Sequence, residues 1–94
     1  MTASELAFTC VLLKQPKGYT ALCLDLDVAS EATTADKAKQ MLREAVELHI
    51  DSAIESNLPY LRPVPRDEDP RVVRPDSVAK TYRLKVNLRV VAVA

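Results

Sequence analysis

Tryptophan is absent from this chain, phenylalanine occurs once and tyrosine three times. With so few rings, the core has to be built from aliphatic side chains. Glycine occurs once, at Gly18. The two cysteines, Cys10 and Cys23, fit neither a zinc-ligand spacing nor a CxxC motif. The single histidine, His49, cannot make a zinc site without other ligands nearby. No sign of charge is in excess: 13 basic residues balance 13 acidic ones. That argues against a strong general affinity for nucleic acid, which needs a basic surplus, although a local patch remains open. It also leaves little charge repulsion against self-association. No apolar run approaches the roughly eighteen residues that cross a bilayer. The N-terminus, interrupted by Glu5, lacks the basic start and apolar run of a signal peptide. A single domain over residues 1–94, in the cytoplasm and without a membrane partner, is the expectation.

Hydrophobic residues make up 48% of the chain, an ordinary share for a globular fold. Residues 6–14, LAFTCVLLK, are β-compatible and read as a strand. Leu6, Phe8, Cys10 and Leu12 share one face; Ala7, Thr9, Val11 and Leu13 share the other. Both faces are mostly apolar, so something is expected to cover each side. QPKG at 15–18 reads as a hairpin turn, and YTALCL at 19–24 as the returning strand. Placing Lys14 opposite Tyr19 puts Cys10 opposite Cys23. That register suits a disulfide, but two free thiols packed as small hydrophobes fit a reducing compartment better. DLDVASEA at 25–32 reads as a bend into a short third strand.

The strongest periodic signal follows. Thr34 is the expected N-cap, with Asp36 in the first turn, where the helix dipole favours acid. Ala38, Leu42, Ala45, Val46, His49, Ile50 and Ala53 keep the three-to-four spacing of one apolar stripe. Glu47 and Asp51 are like charges four apart, so the polar face is not tuned purely for helix stability. The helix is expected to stop near Asn57, because Pro59 disfavours helix in the residue before it. Residues 57–76 hold five of the six prolines and read as an extended surface connection, with Leu58, Tyr60, Leu61 and Val64 available to pack. Residues 78–93 read as a half-buried strand: Tyr82, Leu84, Val86, Leu88 and Val90 on one face, Arg83, Lys85, Asn87 and Arg89 on the other. The expected class is α+β, ordered β-β-β-α-β, a mainly antiparallel sheet with one long helix on one face.

The stretch GYTALCLDLDVASEATTADKAKQMLREAVELHID resembles the core pattern of the HicB antitoxin family. Gly18 and Tyr19 match its turn, and Asp25-Leu26 its acidic bend. Ser30 and Thr34 match before the helix. Ala38 and Glu44-Ala45-Val46-Glu47-Leu48 match within it. The chain departs where the family has a glycine between the Ser and the Thr, carrying Glu31-Ala32-Thr33 there, and where the family often has an aromatic in place of His49. The resemblance implies a truncated ribonuclease-H-like fold: a three-stranded meander, a helix across it, and a fourth strand beside the first. It also implies a non-enzymatic protein, without cofactor or metal, that pairs with a small messenger-RNA-cleaving toxin and blocks it. Many members carry a separate C-terminal DNA-binding module. This chain ends in a strand, so no sequence-specific DNA binding is expected of it alone.

Other chemistry has little to stand on. A ribonuclease-H-like origin invites a metal-dependent nuclease using Asp25 and Asp27, which would share a face on a regular strand. The bend reads more simply as a solvated turn, and the helix carboxylates fall on the wet side. His49 reads as a packing residue at the edge of the stripe. Residues 77–94 carry Lys80, Arg83, Lys85 and Arg89 and no acid. Arg83, Lys85 and Arg89 form either a solvated face that discourages edge aggregation or a contact for an acidic partner or RNA. The strand could also pair with its equivalent in a second subunit. Ala7, Val11 and Leu13, on the sheet face away from the helix, are the expected self-association patch of a homodimer unless the proline-rich segment covers them. An orphan homo-oligomeric binding module is the alternative to a toxin-binding protein.

Overall fold

The computed structural model describes residues 2–90, with side-chain surroundings for residues 5–87. The chain forms strands β1 (Thr2–Gln15), β2 (Gly18–Cys23) and β3 (Val28–Ala32), helix α1 (Ala35–Glu55), a short helix α2 (Pro70–Val73), and strand β4 (Val78–Val90). The strands make one sheet in the order β3-β2-β1-β4, with every pair antiparallel. This is the α+β arrangement expected, one four-stranded antiparallel sheet with one long helix. The tail of the expected fourth strand, 91–93, lies outside the described residues.

The hairpin register is the one read from the sequence: Lys14 faces Tyr19, and Cys10 faces Cys23. Gly18 begins β2, and its position explains the lone glycine. A Cβ there would press into the carbonyl oxygen of Ala32, at the end of β3. Its φ of +157° is also one that L side chains rarely adopt.

Helix α1 begins and ends for identifiable reasons. The Thr34 hydroxyl accepts the Lys37 N–H at 3.2 Å, satisfying one orphan donor of the first turn. At the other end Asn57 takes a left-handed φ of +55°. Leu58 N–H donates to the Ala53 carbonyl at 2.8 Å, and Asn57 N–H to the Ile54 carbonyl at 3.1 Å. This is the paired-bond stop that a left-handed residue after the C-cap permits. Pro59 then prevents continuation. Of the predicted stripe, Ala38, Leu42, Val46, Ile50 and Ala53 are buried, while Ala45 and His49 are half-buried. Ala38, Leu42, Val46 and Ile50 meet Phe8, Cys10 and Leu12 of β1, Ala21 and Cys23 of β2, and Leu84 and Val86 of β4. As the lack of rings required, this core is largely aliphatic.

The opposite sheet face differs from the expected open patch. Val11 and Leu13 are 0% and 2% exposed within the single chain. They pack with Leu24, Leu22, Val64 and Val78, so the proline-rich segment covers them and only Ala7 of the expected self-association patch is exposed. That segment is also more than an extended connection. It contains single turns at Arg66–Glu68 and Pro75–Ser77 around α2. Asp69, almost fully buried, caps α2 by accepting the Arg71 N–H at 2.9 Å, and its carboxylate pairs with the Arg71 guanidinium at 2.8 Å. That guanidinium holds the Asp69 carboxyl below its ordinary range.

Candidate functional site

Asp25 lies two residues past the end of β2. Leu24 N–H continues the ladder by donating to the Thr9 carbonyl at 2.9 Å. The Leu24 carbonyl, however, turns away and accepts Val64 N–H at 2.8 Å. Thr9 N–H is thereby left over, and Asp25 Oδ2 accepts it at 2.7 Å. One Asp25 oxygen thus stands in for a strand carbonyl. Arg62 N–H donates to the Asp25 backbone carbonyl at 3.0 Å, so the bend also anchors the returning segment. Asp27 is exposed in the turn with φ +53°. Asp25 and Asp27 therefore do not sit on a regular strand, and the two-apart spacing does not place them on a common face. Among the described residues no group of three His, Cys, Asp or Glu side chains lies close enough to hold a metal ion.

Cys10 and Cys23 are free and fully buried. The adjoining Cys23 thiol and burial push the Cys10 thiol up, away from the reactive thiolate. Tyr82, opposite Cys10 on β4, completes a row across the three strands. Its hydroxyl is buried without a hydrogen-bond partner, and burial pushes it up as well. Lys39 of α1 lies 5.0 Å from the centre of the Tyr82 ring, a cation–π contact tying the helix to β4. Arg43 supplies a second tie, donating to the Lys85 carbonyl at 2.6 Å.

The basic strand face is less free than its composition suggests. Arg83 lies across β1, donating to Thr9 Oγ1 at 2.6 Å and to the Ala7 carbonyl at 3.3 Å. Lys85 is exposed. Arg89 faces Ala3 in the register, and its side chain lies outside the described residues. His49 does more than pack: its Nε2 lies 2.8 Å from the Tyr60 carbonyl and must carry the proton to donate there.

A surface missed in the sequence emerges at the far end of α1. Leu48, Ile54, Leu58 and Leu61 are all large, apolar and about half exposed or more. Leu48 and Ile54 both fall off the buried stripe, and that periodicity was the available signal. Leu58 and Leu61 stand in a segment with no period, and only the structure separates them from their buried neighbours. Comparison of the chain with protein-family models, with curated proteins and with solved structures gives no match.

Proposed function

We propose that the chain is a HicB-like protein-binding module of truncated ribonuclease-H-like fold, which blocks a small messenger-RNA-cleaving toxin by covering it and performs no chemistry of its own. The observation that supports it best is where the family-like residues fall. Gly18 sits where a Cβ would strike Ala32, Asp25 holds Thr9 N–H, Thr34 caps α1, Ala38 is fully buried under the sheet, and Tyr19 packs against the same core. Ala45 is half-buried on the stripe. These are positions with stringent local demands, and they occur in the family's order along a β-β-β-α-β chain whose fourth strand lies beside the first. The test is capture from the chain's own host at several salt concentrations, followed by mass measurement. A stoichiometric small basic protein that cleaves RNA, and is silenced in the complex, is the expected result. Recovery of the chain alone would sink the reading.

A second reading is a homodimer through β4, which is an edge strand paired only with β1 among the described residues. Antiparallel self-pairing near its middle would bring Arg83 and Lys85 of two copies close together, and like charges across strands repel. A dimer of this kind would strengthen as salt rises, which light scattering during gel filtration would read directly.

A further inference from the structure

The charge on α1 is arranged against the helix's own stability. Glu47, Asp51 and Glu55 stand four apart in one row, with Glu44 beside them, and all four are exposed. Like charges at this spacing repel. Acid near a helix C-terminus also opposes the dipole, and the last turn of α1 carries no base. No ion pair among the described residues takes up this charge: Asp69–Arg71 is the one pair within 4.0 Å, and Arg43, four before Glu47, donates to the Lys85 carbonyl instead.

Apolar side chains border the same row. At 100° per residue, Leu48 flanks it on one side and Ile54 on the other. Leu48 is 67% exposed, and just past the helix Leu58 and Leu61 are 62% and 58% exposed. Leu58 and Leu61 both line two shallow hollows, one bounded by Ile54 and Tyr60, the other by His49 and Ser52. Arg62 is the single base at the rim.

We infer that this end of the molecule docks a basic polypeptide segment bearing apolar anchors. The anchors seat against Ile54, Leu58 and Leu61, while lysines or arginines of the segment face Glu47, Asp51 and Glu55. Charge complementarity decides the occupant: RNA would be repelled by the carboxylate row. A second copy offers its basic strand, but among the described residues the exposed side chains there are Ala79, Lys80, Thr81, Arg83, Lys85 and Asn87, with no large apolar anchor; its exposed Val72 and Val73 stand in a stretch where Asp67, Glu68 and Asp76 balance Arg66, Arg71 and Arg74. The inference rests on the reading above only in taking the partner to be a protein.

The test is an amide-resolved NMR titration of the full chain with two synthetic amphipathic peptides of identical leucine spacing, one flanked by lysines and one by glutamates. The lysine-flanked peptide is expected to bind more tightly than about 1 mM. It should shift amides between Glu44 and Arg62, and weaken as salt rises. The glutamate-flanked peptide should not bind. Glu47→Lys combined with Asp51→Lys and Glu55→Lys should cost about tenfold or more in affinity with the remaining spectrum unchanged. Leu58→Ser should weaken binding without altering its salt dependence. Equal binding of both peptides, shifts confined to β4, or a triple variant that binds like the parent would overturn the inference. Failure of the antitoxin reading looks different: the lysine-flanked peptide binds as described, yet no RNA-cleaving partner is ever captured. Conversely, a captured RNA-cleaving partner that binds the triple variant undiminished leaves that reading standing and removes this surface.

Discussion

Asp25 Oδ2 accepts the backbone N–H of Thr9 at 2.7 Å, in the place where a regular ladder would have offered the Leu24 carbonyl. That carbonyl has been given to Val64 instead. A single carboxylate therefore lets β2 release its last acceptor to the proline-rich segment without stranding a donor on β1. The clip explains how a segment of mostly polar and proline residues comes to lie over Val11 and Leu13.

Removing this acceptor should be costly out of proportion to its size. Asp25→Ala leaves Thr9 N–H without a partner and is expected to lose about 1–3 kcal/mol of stability. Asp25→Asn keeps an acceptor oxygen and should lose less. Urea midpoints at constant slope would read the difference. Equal midpoints for all three proteins would remove the clip from the account.

Gly18→Ala tests the close approach between the hairpin and the end of β3. The added methyl meets the Ala32 carbonyl in an unfavourable backbone region, so a loss of roughly 1–3 kcal/mol is expected. A variant as stable as the parent on thermal unfolding would show that β3 can move aside freely.

Acid should loosen the segment that covers the second sheet face. Asp69 is held below its ordinary value of 3.8 chiefly by its hydrogen bonds to Arg71. A group whose folded pKa is depressed contributes stability that is complete above the unfolded value and lost as pH falls through the folded one. Stability should thus decline below about pH 4, more steeply in the parent than in Asp69→Asn. The Arg71 side chain is 46% exposed, so added salt should shrink the difference. Identical acid profiles for both proteins would contradict the role given to this pair.

The thiols offer a probe of the helix-side core. Cys10 and Cys23 are both 0% exposed, and Cys10 is held in its protonated form. A thiol reagent should leave the native protein unmodified on the timescale in which it labels the urea-unfolded chain at both positions. Rapid native labelling would mean that the sheet opens at the β1–β2 pair.

Much of this architecture was legible because it rests on local rules. The turn at Pro16–Gly18 sets the Cys10–Cys23 register, and Thr34 and Pro59 bracket α1, within two residues of the expected ends. Alternation in the last strand placed Leu84 and Val86 inward correctly. What could not be read was the fate of residues 57–76. In a stretch without a period, Tyr60 and Val64 pack while Leu58 and Leu61 do not. The choice is made by non-local hydrogen bonds from Arg62 and Val64 to the bend, which leave no pattern in the sequence. The candidate surface was hidden for the same reason. In the sequence the charge of Arg83, Lys85 and Arg89 stands out; in the structure Arg83 is held by Thr9 and Ala7.

Occlusion of an RNA-cleaving partner can be followed by titrating the purified chain into the partner it captures and measuring cleavage of a labelled RNA. Cleavage is expected to fall linearly to zero at a fixed stoichiometry. The Glu47→Lys, Asp51→Lys, Glu55→Lys protein should fail to inhibit at the same concentrations. A captured partner without RNA-cleaving activity, or one that cleaves undiminished in the presence of excess chain, would contradict occlusion.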